Sequence, residues 1–280
     1  MITKNPMQLK AIIKNKAKEK NISAQLVMQN YMLERLLERI SLSKYRNNFI
    51  LKGGFLISAI VGLDTRSTMD LDTTIKGVTL THEKITEIFN VLCSIHVDDD
   101  VTFELMGISD IREGDDYPGI RVSLKANYDP ISVPLAVDVT TGDIITPQEI
   151  KYSFKMLFDD RAINVWAYNL ETVMAEKIET ILSRGVANTR PRDFYDTYIL
   201  WMLHKNDLDL YTLKNALQNT INKRGSVNVL NKYTDIIKQI RNSFELNGFW
   251  QKYIKEYEYA SNIPFDKICG TILEIMNSIS

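Results

Sequence analysis

The sequence has little that would tie it to an oxidising compartment, a membrane or a polyanion. Only two cysteines, Cys93 and Cys269, occur in 280 residues, far apart and each inside an apolar stretch. That pattern excludes a disulfide framework and points to buried thiols in a reducing compartment. No apolar run reaches the roughly 18 residues of a membrane-spanning helix. The first twenty residues are rich in lysine and contain no apolar signal core. A cytoplasmic protein with no membrane partner is therefore expected. Lys and Arg total 34 against 35 Asp and Glu, a formal net charge of −1. No global basic field announces nucleic acid, so any such contact must come from a local patch. The chain also lacks internal repeats and low-complexity linkers. What remains, 45% apolar and 25% charged residues, is the composition of a globular chain with one large domain or two ordinary ones.

Periodicity divides the chain into a mixed half and a helical half. Residues 7–20 fit a helix with Met7, Leu9, Ile12 and Ile13 set among Lys10, Lys14, Lys16, Lys18 and Lys20, a basic face that is either solvated surface or a contact for RNA phosphate. Asn21 or Ser23 is placed to cap a second helix through Ile40, and residues 81–94 form another. Short alternating runs at Val101–Ile108, Ile120–Ala126 and Ile131–Thr140 predict antiparallel strands, the first two joined by an acidic turn containing Glu113-Gly114-Asp115-Asp116. Ser153–Phe158 and Ala162–Trp166 are further strand candidates. Helices are expected over 170–184, 191–204, 210–223, 229–242, 245–258 and 265–278. The fold class is thus α+β, with a mixed sheet and N-terminal helices in residues 1–165 and an all-helical domain in 166–280.

The stretch that organises the chain is residues 51–72. Gly53 and Gly54 follow an apolar approach and open an apolar helical run, Phe55 to Val61. A polar turn then leads into Asp70-Leu71-Asp72 and β-prone Thr73-Thr74-Ile75. Adjacent glycines let backbone N–H groups approach a phosphate, and a helix starting there adds its positive end. On a strand, residues two apart face the same way, so Asp70 and Asp72 present paired carboxylates of the kind Mg²⁺ takes together with substrate phosphates. The bland alternative is a tight turn before a half-exposed strand. Asp98-Asp99-Asp100 and Asp207-Leu208-Asp209 repeat the acidic pattern without a glycine pair, and Asp207 lies where a helix would begin, as a cap.

Further candidates follow. Asp138 lies in the apolar strand Val133–Val139, either facing a cation as a third carboxylate or sitting at the solvent end of the strand. On the helix expected from the Asn169 cap, Lys177 edges the apolar stripe of Val173, Met174 and Ile181, with Arg184 along the same line. The pair looks towards triphosphate or snorkels to water. Pro191 suits the first turn of the next helix, which carries Arg192, Asp193 and Asp196. These carboxylates would meet Lys177, Arg184 or Arg192, in a nucleotide site or in a salt-bridge network.

In combination, Gly53-Gly54, Arg66-x-Thr68-x-Asp70-Leu71-Asp72, Asp138, Lys177 with Arg184, and Arg192-Asp193-x-x-Asp196 resemble the AbiEii-family nucleotidyltransferase toxins of abortive-infection and type IV toxin–antitoxin systems, and are similar to the MenT-type toxins. The resemblance covers about 145 residues, with the motifs in the family's order. It implies a polymerase-β-like nucleotidyltransferase domain followed by a helical domain. It also implies an NTP substrate (GTP or a pyrimidine nucleotide), Mg²⁺ held by Asp70, Asp72 and Asp138, and phosphate contacts from Gly53, Gly54, Arg66, Thr68, Lys177, Arg184 and Arg192. Asp193 or Asp196 would orient the lysine or touch the ribose. The implied acceptor is the 3′ end of tRNA, and the implied partner is an antitoxin encoded nearby. Two rival readings are a nucleotidyltransferase acting on a protein or small molecule, and a non-catalytic nucleotide- or RNA-binding module.

Overall fold

The computed structural model describes residues 5–111 and 119–280. The acidic stretch Glu113-Gly114-Asp115-Asp116 lies outside them. Two compact units are formed, Met1–Asp143 with Ile150–Ala167, and Ile144–Glu149 with Tyr168–Ser280.

The first unit holds helices α1 (Pro6–Glu19), α2 (Ala24–Leu42), α3 (Gly53–Val61) and α4 (His82–Ser94). Its strands are β1 (Phe49–Lys52), β2 (Asp70–Ile75), β3 (Thr102–Asp110), β4 (Gly119–Tyr128), β5 (Ile131–Thr140), β6 (Ile150–Lys155) and β7 (Ala162–Ala167). They form one mixed seven-stranded sheet in the order β3-β4-β5-β2-β1-β7-β6. The run β3-β4-β5 is antiparallel as the alternation predicts, whereas β2 lies parallel to β5 and β1 parallel to β7. In β5 the odd-numbered residues Val133, Leu135, Val137 and Val139 are buried, which turns Ala136 and Asp138 to the other face. Ser23 caps α2 through the Leu26 N–H at 3.1 Å, and Thr81 caps α4.

Strand β6 runs Ile150–Lys155 in place of the expected 153–158. The apolar residues Met156, Leu157 and Phe158 extend the sequence signal of β6, but they occupy the turn that joins β6 to β7. Met156 N–H donates to the Arg161 carbonyl, and Phe158 packs edge-on against Tyr31 at 5.8 Å. Burial of a turn by ring packing therefore mimics a strand in the sequence.

Helix α2 is also more buried than its amphipathic pattern requires, because its charged residues carry partners into the interior. Arg39 makes a two-pronged pair with Asp99, at 2.9 and 2.8 Å, and reaches the Val101 carbonyl. Arg35 pairs with Glu34 and Glu38, and Glu38 also meets Arg161 at 2.7 Å. Glu34 additionally accepts the Leu157 N–H.

The second unit is helical: α5 (Leu170–Arg184), α6 (Pro191–His204), α7 (Leu210–Arg224), α8 (Tyr233–Asn242), α9 (Phe244–Glu256) and α10 (Phe265–Ile279). Asn169 caps α5 through the Thr172 N–H at 2.8 Å, and Pro191 opens α6. Helix α8 starts later than its apolar pattern because a 3-10 turn over Val227–Val229 comes first. Trp250 and Phe265 lie about its core, Trp250 donating to the Ile263 carbonyl at 2.9 Å. Among the described residues no helix is long and apolar enough to cross a membrane.

Burial raises the Glu34 carboxyl from 4.5 to about 7, against the opposing pull of Arg35 and the Leu157 N–H. A folded-state value above the unfolded one means that the fold holds this proton more tightly. The contribution is fully present below the unfolded value and is lost as pH rises through about 7. Between about pH 5 and pH 8 this group is expected to remove about 2–3 kcal/mol of stability. Glu34→Gln, which cannot ionise, should flatten that part of the stability profile. Thermal unfolding of both proteins across the range checks this, and parallel profiles would contradict it.

Candidate active site

The site on the first unit is built by strand register. Antiparallel pairing of β1 with β2 sets Lys52 opposite Asp72, and parallel pairing of β2 with β5 sets Asp72 beside Asp138. Antiparallel pairing of β4 with β5 sets Arg121 opposite Asp138. The result is a row across four strands, Lys52–Asp72–Asp138–Arg121, with signs plus, minus, minus, plus. Asp70 shares the face of Asp72, since Leu71 between them is fully buried on the other side.

The glycine pair meets this row at Asp72. β1 ends at Lys52 and α3 begins at once, with Gly53 at φ +62° and the Gly54 N–H donating to Asp72 Oδ2 at 3.0 Å. A Cβ on Gly53 would lie 2.2 Å from that same oxygen, and one on Gly54 would lie 3.0 Å from both Arg66 and Thr68. The glycines are thus required by close approach, and the Gly54 N–H is directed at the Asp72 carboxylate. Arg66 and Thr68 are buried at 2% and 6% exposure beneath this corner, Arg66 donating to the Ser67 carbonyl. Helix α2 holds the turn in place: Asn30 donates to the Thr68 carbonyl at 2.7 Å, and Gln29 to the Pro134 carbonyl at 2.8 Å.

Both ends of the row carry ion pairs. Lys52 Nζ lies 2.6 Å from Asp143, which also accepts from the Thr140 hydroxyl. Arg121 grips Asp138 with both prongs, Nε to Oδ1 at 2.7 Å and a terminal nitrogen to Oδ2 at 2.8 Å. That bond, with the added charges of Asp138, Asp70 and Asp72, raises the pKa of the Arg121 guanidinium further. Sequence reasoning missed Arg121 and Lys52. The available signal was the Asp129-Pro130 turn: with Tyr128 paired to Ile131, counting back along the hairpin brings Arg121 to Asp138.

Among the described residues no three His, Cys, Asp or Glu side chains gather into a cluster able to hold a metal ion. The donors on this face are the carboxylates of Asp70 and Asp72, with Asp138 alongside but engaged by Arg121. Two hard oxygen donors on one strand fit Mg²⁺, which commonly takes one or two carboxylates and completes its shell with water and phosphate. The other acidic runs have structural work. Asp99 pairs with Arg39, and Asp207 pairs with His204 at 2.9 Å. The cap of α7 is Asp209, not Asp207 as its position suggested, because the helix starts at Leu210.

On the second unit, Lys177 of α5 reaches Asp193 at 2.6 Å and Asp196 at 3.0 Å on α6. Asp196 is fully buried and Asp193 nearly so, and among the described residues Asp193 Oδ2 has no hydrogen-bond partner. Of the three cations expected as partners, Lys177 engages both carboxylates. Arg184 is half-buried and Arg192 exposed.

Comparison with known proteins gives consistent results. The family described as "Nucleotidyl transferase AbiEii toxin, Type IV TA system" matches residues 35–268. Among solved structures, a putative nucleotidyltransferase from H. pylori is similar with a TM-score of 0.51 and 14% identity, over 92% of this chain and 99% of that one. At that identity the likeness shows the fold alone. JHP933 from Helicobacter pylori also matches, at a TM-score of 0.49 and 10% identity over 92% of each chain, a likeness that carries no further argument. No curated protein matches the chain.

Two outcomes are expected from this geometry. Gly53→Ala should cost about 1–3 kcal/mol through its backbone conformation and displace Asp72 as well. Gly142→Ala, at φ +78° with nothing within 4 Å of the added carbon, should incur only the backbone cost. Melting temperatures of the two variants isolate the Asp72 contact, and equal losses would remove it. Lys177→Ala removes the ammonium that pairs with two buried carboxylates, Asp193 and Asp196, and should lower stability by about 3–5 kcal/mol. Chemical denaturation measures this, and a loss below about 1 kcal/mol, the usual worth of a surface pair, would contradict it.

Proposed function

Because the chain belongs to the AbiEii nucleotidyl transferase toxin family of type IV toxin–antitoxin systems, we propose that it transfers a nucleoside monophosphate from an NTP to a hydroxyl at the 3′ acceptor end of tRNA, blocking translation. The observation that carries this reading is the pair Asp70 and Asp72 on one face of β2, with the Gly53-Gly54 corner pressed onto Asp72. Asp70 and Asp72 would hold Mg²⁺, with Asp138 as the adjacent carboxylate. The chemistry that Mg²⁺ supplies when bound is a lowered pKa for the attacking hydroxyl and offset of the charge on departing pyrophosphate.

This chain's own residues do the rest. Gly53 and Gly54 set the position of the Asp72 carboxylate by leaving no atom between it and the start of α3, and Arg66 and Thr68 fix the turn that delivers Asp70. Asp138 is placed to accept the proton of the attacking hydroxyl once its pairing with Arg121 is broken. On the helical unit, Lys177, Arg184 and Arg192 keep the phosphate-binding role that the family resemblance gives them, with Asp193 and Asp196 orienting the lysine ammonium. The nucleotide is GTP or a pyrimidine nucleotide, the setting is the cytoplasm, and an antitoxin encoded nearby restrains the activity. The exposed Lys10, Lys14 and Lys18 of α1 provide a local basic face for RNA phosphate in a chain with no net positive charge.

Incubating the purified protein with labelled NTPs, Mg²⁺ and total tRNA tests the reading. Label is expected in tRNA. Label in protein would move the acceptor to a side chain, and no transfer to any acceptor would leave a binding module. Asp70→Asn should abolish transfer with its melting temperature unchanged, and Asp207→Asn should lose nothing. Full activity in Asp70→Asn would overturn the assignment of the carboxylates.

A further inference from the structure

The Arg121–Asp138 pair sits in the one place where it changes what the carboxylate face can hold. Asp138 stands beside Asp72 in register, and Asp70 shares their face. Three carboxylates so close repel one another, and the guanidinium of Arg121 offsets that charge. It does so at the expense of Asp138 as a ligand. Both Asp138 oxygens accept from one fork, at 2.7 and 2.8 Å, and no three-carboxylate cluster able to hold a metal ion forms among the described residues.

The pair also differs from the buried two-pronged pair of Arg39 with Asp99. Arg39 and Asp99 are 1% and 6% exposed, and Arg39 is tied to the Val101 carbonyl besides. Breaking that contact would leave a buried charge unpaired. Arg121 is 45% exposed, against 17% for Asp138, so its guanidinium can leave into water at little cost. An exposed arginine on a half-buried carboxylate is an exchangeable partner, whereas the buried pair is fixed.

We propose that Arg121 competes with the divalent cation for Asp138, holding this third carboxylate aside while the cation site formed by Asp70 and Asp72 is empty and yielding it when a cation binds. The inference rests on the reading of Asp70 and Asp72 as cation-binding carboxylates. Arg121 is thereby a positioning residue, acting through Asp138, and it sets the concentration of cation the protein needs.

Mn²⁺ binding to the full chain, followed by titration calorimetry without nucleotide, tests this. Arg121→Lys keeps the positive charge but cannot span both Asp138 oxygens. It should tighten Mn²⁺ binding about fivefold, equivalent to roughly 1 kcal/mol, and Asp70→Asn should weaken binding strongly. In an Asp138→Asn background, Arg121→Lys should change nothing, because the contested ligand is gone. Unchanged affinity in Arg121→Lys, with binding still dependent on Asp70, overturns the competition and leaves the carboxylate site standing. Tightening in Arg121→Ala without tightening in Arg121→Lys reduces Arg121 to its charge and likewise overturns the proposal. Mn²⁺ binding indifferent to Asp70→Asn overturns the carboxylate site and the competition together.

Discussion

The contact of the Gly53-Gly54 corner with the Asp72 carboxylate sets the rest of the first unit's functional face. A strand and a helix meet there with no connecting loop, and the turn is possible only because Gly53 takes a positive φ and neither glycine has a side chain. The Gly54 N–H at the start of α3 is then satisfied by Asp72, so a helix terminus and a charged strand residue solve each other's polar requirements. In the β1–β2 register Lys52 faces Asp72, and in the β2–β5 register Asp138 lies alongside it. The corner thus stands at the Asp72 position of a row with two central carboxylates flanked by two cations.

The charges of this unit fall into two physical classes. Those on α2 are buried and multiply bonded: Arg39 with Asp99 and a carbonyl, and Arg35 between Glu34 and Glu38. They fix how α2 lies against the residues it packs on, since any other arrangement would strand an ion in the interior. On the site face, Arg121 is 45% exposed where it pairs with Asp138, whereas Lys52 and Asp143 are 13% and 15% exposed.

In the helical unit, Lys177 carries both kinds of demand. Asp196 is fully buried and Asp193 nearly so, and both pair with this ammonium. A lysine held by two carboxylates is rigid and oriented, which suits an electrostatic role. The same pairing makes its removal costly to the fold, so any loss of activity at this position is read alongside stability.

Much of this molecule is legible in its sequence, because it depends on short-range rules. Period-two alternation places β5 at Ile131–Thr140 and puts Asp70 and Asp72 on one face. Capping chemistry at Ser23, Asn169 and Pro191 starts α2, α5 and α6. The order of glycine pair, acidic strand, later aspartate and lysine helix identified the family. Other features rest on contacts between residues distant in the chain, which local pattern does not encode. The ring packing of Phe158 on Tyr31 turned an apparent strand end into a buried turn. The partners of Arg35 and Arg39 made a helix that reads as amphipathic nearly buried all round. The placement of Arg121 on Asp138 and of Lys52 opposite Asp72 came from sheet register. Sequence by itself determined where most strands and helices lie, though not every end or cap, because backbone propensity and side-chain period act over a few residues. Only the tertiary structure decided which charges meet, because pairing across a sheet is set by how strands from distant parts of the chain align.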